Sequence, residues 1–280
     1  RKMNKREIVG YALYQIGKFG RKEPDFLSIY FTTQLQKRSH PSWSGVERKC
    51  YRFITLQECY AILSGKIRQE GKVAYLSFDD GWQSNLNLIP IIDKYQAPIT
   101  IFVSIDPLLS GNFWWEYALA DGIELRNKMK LMSYKKFVSS LESLKKKYSL
   151  ERSVLTEQEL VKIASHPLVS IQSHTMSHPI LTNCDDEILS YELNSSKAYL
   201  ENLLHHKIEA FSYPNGNFSN REIEAVKKAG YKMAFTTEYI PIQINHTNLY
   251  RIPRMAMNTY GGYYENLSKI LGIWQDILKK

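Results

Sequence analysis

Short runs of β-branched and aromatic residues alternate along this chain with segments whose apolar residues recur at helical spacing. The runs predict strands over residues 26–31, 73–78, 98–104, 168–172, 208–213, 232–236 and 250–255. Helical periodicity covers residues 86–95, 134–148, 156–165, 186–204, 219–229 and 260–278. Parallel strands need crossover connections, so this alternation predicts an α/β fold with a mainly parallel sheet or a barrel. Chemistry in such folds belongs at the carboxyl ends of the strands.

The chain of 280 residues is long enough to form one large domain. We expect an N-terminal amphipathic extension over residues 1–25 and a main domain over residues 26–280, with a helical insertion at about 105–166. The extension carries an apolar helical stripe among basic residues, which docks either on its own domain, as is favoured, or peripherally on a membrane surface. The insertion contains Trp114 and Trp115, which either stack on sugar rings or, as is favoured, fill space between helices.

The net charge of +9 favours anionic neighbours such as acidic glycans, a membrane surface or nucleic acid. No nucleic-acid-binding motif accompanies the basic residues, so we expect no nucleic-acid partner. The three cysteines lack metal-site spacing and argue against a disulfide framework. No apolar run approaches the roughly 18 residues that span a bilayer, and no signal-peptide core is visible. We therefore expect a soluble domain, cytoplasmic or associated with the cell envelope; its oligomeric state stays open.

Two adjacent carboxylates and a glycine, Asp79, Asp80 and Gly81, end the apolar run over residues 73–78. Neighbouring carboxylates in a buried site repel each other, and a metal ion is the simplest compensation. Gly81 allows a sharp turn, so that both acids can face one pocket. Alone, the motif would more often be an exposed turn and helix cap.

Two histidines, His174 and His178, lie four residues apart and follow the predicted strand over residues 168–172. Pro179 disfavours helical geometry at His178, which places the pair on a turn at the strand end. Zinc accepts histidine and aspartate ligands, and its catalytic sites commonly use three protein ligands and an open position. Asp80, His174 and His178 would supply that number.

These two motifs, Ser-Phe-Asp-Asp-Gly and His-Thr-Met-Ser-His, resemble the first two motifs of the polysaccharide deacetylases, the NodB-homology family of carbohydrate esterases. The resemblance implies a distorted (β/α) barrel. It also implies that Asp79 is the catalytic base and that Asp80, His174 and His178 bind a divalent metal. Zinc is favoured, with cobalt, nickel and iron as alternatives.

A third segment resembles the family motif that forms one wall of the substrate groove and binds the oxyanion through a backbone N–H. The residues concerned are Tyr213, Pro214, Asn215 and Gly216, with Asn215 in the N–H position. The family often has an arginine where this chain has Ser212, and Arg254 is a candidate replacement as partner of the catalytic aspartate. The family's late Leu-x-His motif, which carries the usual general acid, is not found, and His246 is a weak substitute.

The function implied is metal-dependent removal of N-acetyl groups from an N-acetylated amino-sugar glycan or its precursor. One alternative is a catalytically inactive, metal-containing carbohydrate-binding protein, which the missing late histidine supports. Another is a related deacylase acting on O-acetyl esters or a non-glycan amide, because the same activated water serves each bond.

Overall fold

The structure is a computed structural model that describes residues 11–12, 24–31, 51–240, 242–257 and 262–270. Its strands are β1 (Phe26–Phe31), β2 (Arg52–Ile54), β3 (Val73–Phe78), β4 (Ile99–Val103), β5 (Val169–Ser173), β6 (Ala210–Ser212), β7 (Met233–Phe235) and β8 (Met255–Ala256). Its α-helices are α1 (Leu56–Leu63), α2 (Ile89–Tyr95), α3 (Ile105–Ser110), α4 (Trp114–Asp121), α5 (Ile123–Met129), α6 (Tyr134–Lys147), α7 (Glu157–Ala164), α8 (Asp186–Leu204), α9 (Asn220–Lys228) and α10 (Gly262–Ile270). Short 3-10 helices cover Gln83–Leu88, Leu181–Asn183 and Pro214–Gly216.

All strand pairs of the sheet are parallel, in the order β7-β6-β5-β4-β3-β1-β8, and β2 pairs with the first half of β3. Helices occupy the crossovers between the central strands. The sheet curls into a distorted (β/α) barrel, which confirms the predicted fold class. Every strand therefore points its carboxyl end toward the same rim.

The segment between residues 249 and 257 connects the two ends of the sheet. Ile252 pairs with Phe235 at the end of β7, and Met255 pairs with Ile29 of β1. The prediction of one strand over residues 250–255 is wrong, because the regular pairing covers only Met255–Ala256. Pro253 lies between the two pairings and has no N–H to donate to a ladder, so the segment changes partners there.

Aromatic residues fill the inside of the barrel below its carboxyl rim. The Tyr75 and Phe235 rings stack at 5.0 Å between centroids, and Phe102 lies 5.4 Å from Phe235. A larger apolar layer lies between the strands and the outer helices. Because both faces of β3 and β4 are buried, those two strands are mainly apolar along their length, as is typical of parallel sheets.

The helices α3 to α7 lie in the segment that we expected to be a helical insertion. Trp114, Phe137 and Leu144 belong to a small apolar core of its own, which packs beside the carboxyl rim of the barrel. From this position we propose that the main domain divides into a barrel and a helical cap.

The predicted extension over residues 1–25 lies outside the described residues except at 11–12 and 24–25. Tyr11 there makes an edge-to-face ring contact with Tyr264 at 4.7 Å between centroids. Of the helix predicted over residues 260–278, Gly262–Ile270 is described. Within the described ranges, no helix combines the length and the apolar character needed to cross a membrane.

Candidate active site

The carboxyl ends of β3 and β5 bring the two predicted motifs together at the rim of the barrel. Asp79 and Asp80 follow β3, and His174 follows β5. Left-handed backbone occurs at Asp80 (φ 80°) and His178 (φ 56°), where a non-glycine residue is strained. Strain of this kind persists only where the surrounding structure enforces it, and it is concentrated at functional sites.

Asp80, His174 and His178 form a buried set of metal-ligating atoms. The Asp80 Oδ1 atom lies 3.6 Å from His174 Nε2 and 3.5 Å from His178 Nε2. All three ligand atoms lie within 4.8 Å of one another. A tetrahedral zinc ion with bonds of about 2.0 Å separates its ligand atoms by roughly 3.3 Å, so this set fits a zinc-sized ion after a small contraction.

Hydrogen bonds orient the side chains of Asp80 and His174 and hold the backbone at His178. The Trp82 indole N–H donates to Asp80 Oδ2 at 3.0 Å, which leaves Oδ1 facing the histidines. His174 Nδ1 lies 2.7 Å from the Ser212 carbonyl oxygen, an acceptor that fixes the proton on Nδ1 and leaves Nε2 as a lone-pair donor. The Trp114 indole N–H donates to the His178 carbonyl oxygen at 3.0 Å.

The electrostatics of the three residues suit a cation-binding site. Burial lowers the pKa of His174, and burial together with the neighbouring His174 lowers the pKa of His178 well below its ordinary value. Both imidazoles are then neutral, the form that binds metals. Burial, followed by the charge of Asp79, raises the pKa of Asp80 well above its ordinary value. A cation at this point would remove the penalty on the Asp80 carboxylate.

The loop that carries the histidines is held by Glu192, a buried residue of α8. Its Oε2 accepts the backbone N–H groups of Met176 and Ser177 at 2.8 and 2.9 Å, and its Oε1 accepts the Ser177 hydroxyl at 2.6 Å. Within the loop, the His178 N–H donates to Thr175 Oγ1 at 3.0 Å. Glu192 therefore fixes the conformation of the loop that joins the two histidines.

Asp79 forms a two-pronged ion pair with Arg254. The guanidinium donates to both carboxylate oxygens at 2.7 Å, and the two side chains are 0% and 4% exposed for Arg254 and Asp79. Arg254 also donates to the hydroxyls of Ser77 and Ser212 and to the Thr236 carbonyl. Burial acts to raise the pKa of Asp79, but the Arg254 charge and the hydrogen bonds from Arg254 and Ser212 outweigh it and lower that pKa. Asp79 is consequently held as a carboxylate.

These side chains form the floor of a cavity of about 340 Å³ between the barrel rim and the helices of residues 114–130. This volume is in the range of small-ligand pockets. The lining residues are Tyr30, Asp79, Asp80, Trp114, Trp115, Arg126, Lys130, His174, His178, Ile180, Asn215 and Thr237.

The residues predicted to contact substrate are placed unequally around this cavity. Asn215 lines it, whereas Tyr213 and Pro214 are buried beside it. Arg254 lies beneath Asp79, is buried and does not belong to the cavity lining, a position that suits a partner of Asp79 better than a direct contact to substrate or oxyanion. His246 is exposed and does not belong to the cavity lining, so its position gives no support to the suggested acid role.

Comparison with known proteins identifies the family to which this arrangement corresponds. The polysaccharide deacetylase family matches residues 66–234, which include both metal-ligand motifs. This chain belongs to the polysaccharide deacetylase family. YxkH of Bacillus subtilis, which is named a putative polysaccharide deacetylase, is 24% identical to this chain over 237 residues, covering 82% of this chain and 68% of that protein.

Other members of the polysaccharide deacetylase family agree in sequence or in fold. A poly-β-1,6-N-acetyl-D-glucosamine N-deacetylase of Staphylococcus aureus is 25% identical over 231 residues, covering 82% of this chain and 68% of that protein. The solved structure of the Streptococcus pyogenes deacetylase PplD in complex with acetate superposes with a TM-score of 0.65 at 19% identity, covering 90% of this chain and 99% of that chain. The superposition supports the NodB-homology barrel.

Several residues of this family site were missed in the sequence. Trp82 and Glu192 orient the ligands, and Tyr30 and Lys130 line the cavity. Tyr30 could have been found from strand order, because it is the register partner of Ser77, two residues before Asp79. Its ring lies 4.4 Å from the Arg254 guanidinium carbon, and burial raises the pKa of Tyr30 to about 12. The Tyr30 side chain is therefore neutral and lines the cavity together with Asp79.

Proposed function

We propose that this polysaccharide deacetylase family member is a metal-dependent hydrolase that removes N-acetyl groups from an N-acetylated amino-sugar glycan or its precursor. The observation that carries the proposal is the buried set of Asp80, His174 and His178 directly beside the ionised Asp79. The Staphylococcus aureus relative is named a poly-β-1,6-N-acetyl-D-glucosamine N-deacetylase, which supports the same bond type here.

Asp80, His174 and His178 would hold the metal, with zinc favoured over cobalt, nickel and iron because two imidazoles and one carboxylate suit it. A divalent ion in this position supplies Lewis acidity, which polarises the amide carbonyl and acidifies the attacking water. The chain supplies two neutral imidazoles and a carboxylate whose orientation Trp82 fixes. These ligands need no rearrangement beyond the small contraction described above.

Asp79 would act as the general base that removes a proton from the attacking water. Its pairing with Arg254 keeps it ionised through the neutral range, so the base form is available without prior deprotonation. The bidentate pair also fixes the direction of the carboxylate. Because Arg254 is buried and saturated with acceptors, we propose that Asp79 itself returns the proton to the leaving amine.

Asn215 would bind the developing oxyanion through its backbone N–H. Its conformation is left-handed (φ 57°), and the following Gly216 packs against Thr237. A Cβ atom at Gly216 would lie 1.9 Å from Thr237 Oγ1, so only glycine allows this approach. The close packing holds the Asn215 peptide in one orientation, as preorganised oxyanion binding requires.

The direct test is release of acetate from a panel of N-acetylated oligosaccharides. We expect metal-loaded wild type to release acetate, and Asp79→Asn to lose about 10²–10⁴-fold in kcat, the usual contribution of a general base. Chelated protein should be inactive and regain activity on addition of zinc. Metal content measured in parallel should be unchanged in Asp79→Asn, and equal activity of this variant and wild type would refute the assignment.

One observation supports the alternative of an inactive carbohydrate-binding protein. Among the described residues, the cavity lining holds no histidine besides the two metal ligands, and so no histidine that could act as the general acid. Stoichiometric metal with glycan binding but no acetate release would establish it. The ester and non-glycan amide alternatives are separated by the same panel, extended with an O-acetylated glycan and an N-acetylated peptide amine.

A further inference from the structure

Two cations, Arg126 and Lys130, line one side of the cavity. Arg126 lies in the last turn of α5 and Lys130 follows the helix directly, at a spacing of four residues that places both on one face. The Lys130 Nζ atom donates to Asn215 Oδ1 at 2.9 Å, across the cavity mouth. The pair therefore reaches from the helical cap to the loop beside the reacting centre.

Neither cation has a carboxylate within ion-pair distance in the described part of the chain. Arg126 donates to the neutral Asn127 side chain at 2.7 and 3.2 Å, and Lys130 to the neutral Asn215. Among the described residues, some basic side chains elsewhere on the surface are paired with acids, for example Arg52 with Glu58 and Arg251 with Glu238, whereas others are not. The pair Arg126 and Lys130 is therefore distinguished by its position in the cavity lining together with its lack of an acidic partner among those residues. The cavity is thus lined by positive charge that the chain leaves uncompensated.

This arrangement is unfavourable for the free protein. Like charges four residues apart on a helical face repel each other. Burial, followed by the Arg126 charge, lowers the pKa of Lys130, which reports the same penalty. The two cations are not required as partners of Asp79 either, because Arg254 already pairs with that carboxylate.

We infer that Arg126 and Lys130 form an anion-binding subsite, and that the substrate carries a carboxylate or phosphate on the sugar next to the one that loses acetate. The inference rests on the proposed deacetylase function and specifies its substrate class. A planar guanidinium and an ammonium together match the oxygen pairs of either anion. Trp115 also lines this cavity.

The probe is a hexasaccharide of alternating N-acetylglucosamine and glucuronic acid, compared with the same chain after reduction of each carboxyl to a primary alcohol. A hexasaccharide of N-acetylglucosamine with and without a 6-phosphate forms the second arm. Each arm changes the charge while the acetamide groups stay the same. We expect at least one anionic member to exceed its neutral partner about tenfold in kcat/KM, the effect of one good charge-assisted contact.

Arg126→Gln removes one cation without altering a contact to Asn215, and Lys130→Arg keeps the charge. The ratio of anionic to neutral kcat/KM should fall toward one in Arg126→Gln and persist in Lys130→Arg. Lys128→Gln is the matched control, because Lys128 lies on the same helix, is exposed and does not line the cavity. An equal fall in Lys128→Gln would attribute the preference to overall charge and overturn the subsite.

Binding of the same four oligosaccharides to the Asp79→Asn variant, measured by calorimetry, separates this inference from the proposed function. Tighter binding of an anionic member without acetate release in wild type would refute the deacetylase and support the subsite. Acetate release with equal affinities and equal kcat/KM for charged and neutral chains would support the deacetylase and overturn the subsite. The arm that shows the preference identifies the anion as carboxylate or phosphate.

Discussion

The two sides of the cavity floor compensate their negative charge in different ways. On one side Asp79 is neutralised within the protein by Arg254, whose guanidinium meets both carboxylate oxygens. On the other side Asp80 faces two neutral imidazoles, and in the described residues no cationic side chain is paired with it. Adjacent residues of one strand end therefore have pKa values displaced in opposite directions.

The difference separates two parts of the site. The charge of Asp79 is compensated by folding alone, whereas the charge of Asp80 is compensated only when a cation binds. The pair of Asp79 and Arg254 is completed on folding, because each buried charge has its partner within the chain, and removal of either partner would strand the other. The carboxylate of Asp80 lowers stability until a cation arrives, at which point binding free energy becomes stability. The three predictions below test this contrast.

The largest effect is expected for Arg254→Met, which leaves the Asp79 carboxylate buried and unpaired. Breaking a buried ion pair costs about 3–5 kcal/mol, so the free energy of unfolding of the metal-free protein should fall by that amount in urea titrations. The double variant Asp79→Asn/Arg254→Met removes the stranded charge and should recover a large part of the loss. Arg251→Met is the control, since its exposed pair with Glu238 is worth less than about 1 kcal/mol. Similar losses in both single variants would contradict the assignment of the buried pair.

A smaller effect is expected for Glu192→Gln, which acts on the metal side alone. The amide keeps the shape of the side chain, but it loses the charge that strengthens the hydrogen bonds from the two backbone N–H groups, and its –NH2 group replaces the oxygen that accepts the Ser177 hydroxyl. Partners outside the ligand set typically change metal affinity about 10–100-fold, and we expect a loss in that range by competition with a chelator. Glu187→Gln, an exposed change on the same helix, should leave the affinity unchanged. Unaltered zinc affinity in Glu192→Gln would show that the loop holds its shape without this anchor.

Part of the fold and part of the site could be predicted from the sequence. The alternation of strand and helix patterns was sufficient for the barrel, and Asp80, His174 and His178 were recognisable because each motif is contiguous and ends a strand. The structure brings these three together as expected. Arg254 was proposed as the partner of Asp79 from chain order, and the structure pairs them, although the strand expected to carry it is interrupted at Pro253.

Other features depend on tertiary contacts that leave no local pattern. Glu192 occupies an ordinary position in the middle of a long helix, and only the packing of that helix on the histidine loop makes it an anchor. The short strand β2 and helix α1 were missed because Arg52–Ile54 has three residues and little alternation. Lys130 was one of many basic residues, and its role depends on the fold of the helical cap over the rim.

The smallest effect has the opposite sign and is expected for Asp80→Asn in the metal-free protein. The amide oxygen can still accept from Trp82, and the amide N–H can donate to a neutral histidine, so a buried charge is replaced by a satisfied polar group. We expect the free energy of unfolding to rise by about 1–2 kcal/mol, in the range of the desolvation cost that such a replacement relieves. Asp79→Asn should instead lower stability, because it leaves the Arg254 charge without an anion. Addition of zinc should reverse the order of wild type and Asp80→Asn, since only wild type gains binding free energy. Destabilisation by both asparagine substitutions in chelated protein would mean that Asp80, like Asp79, is compensated by the chain itself.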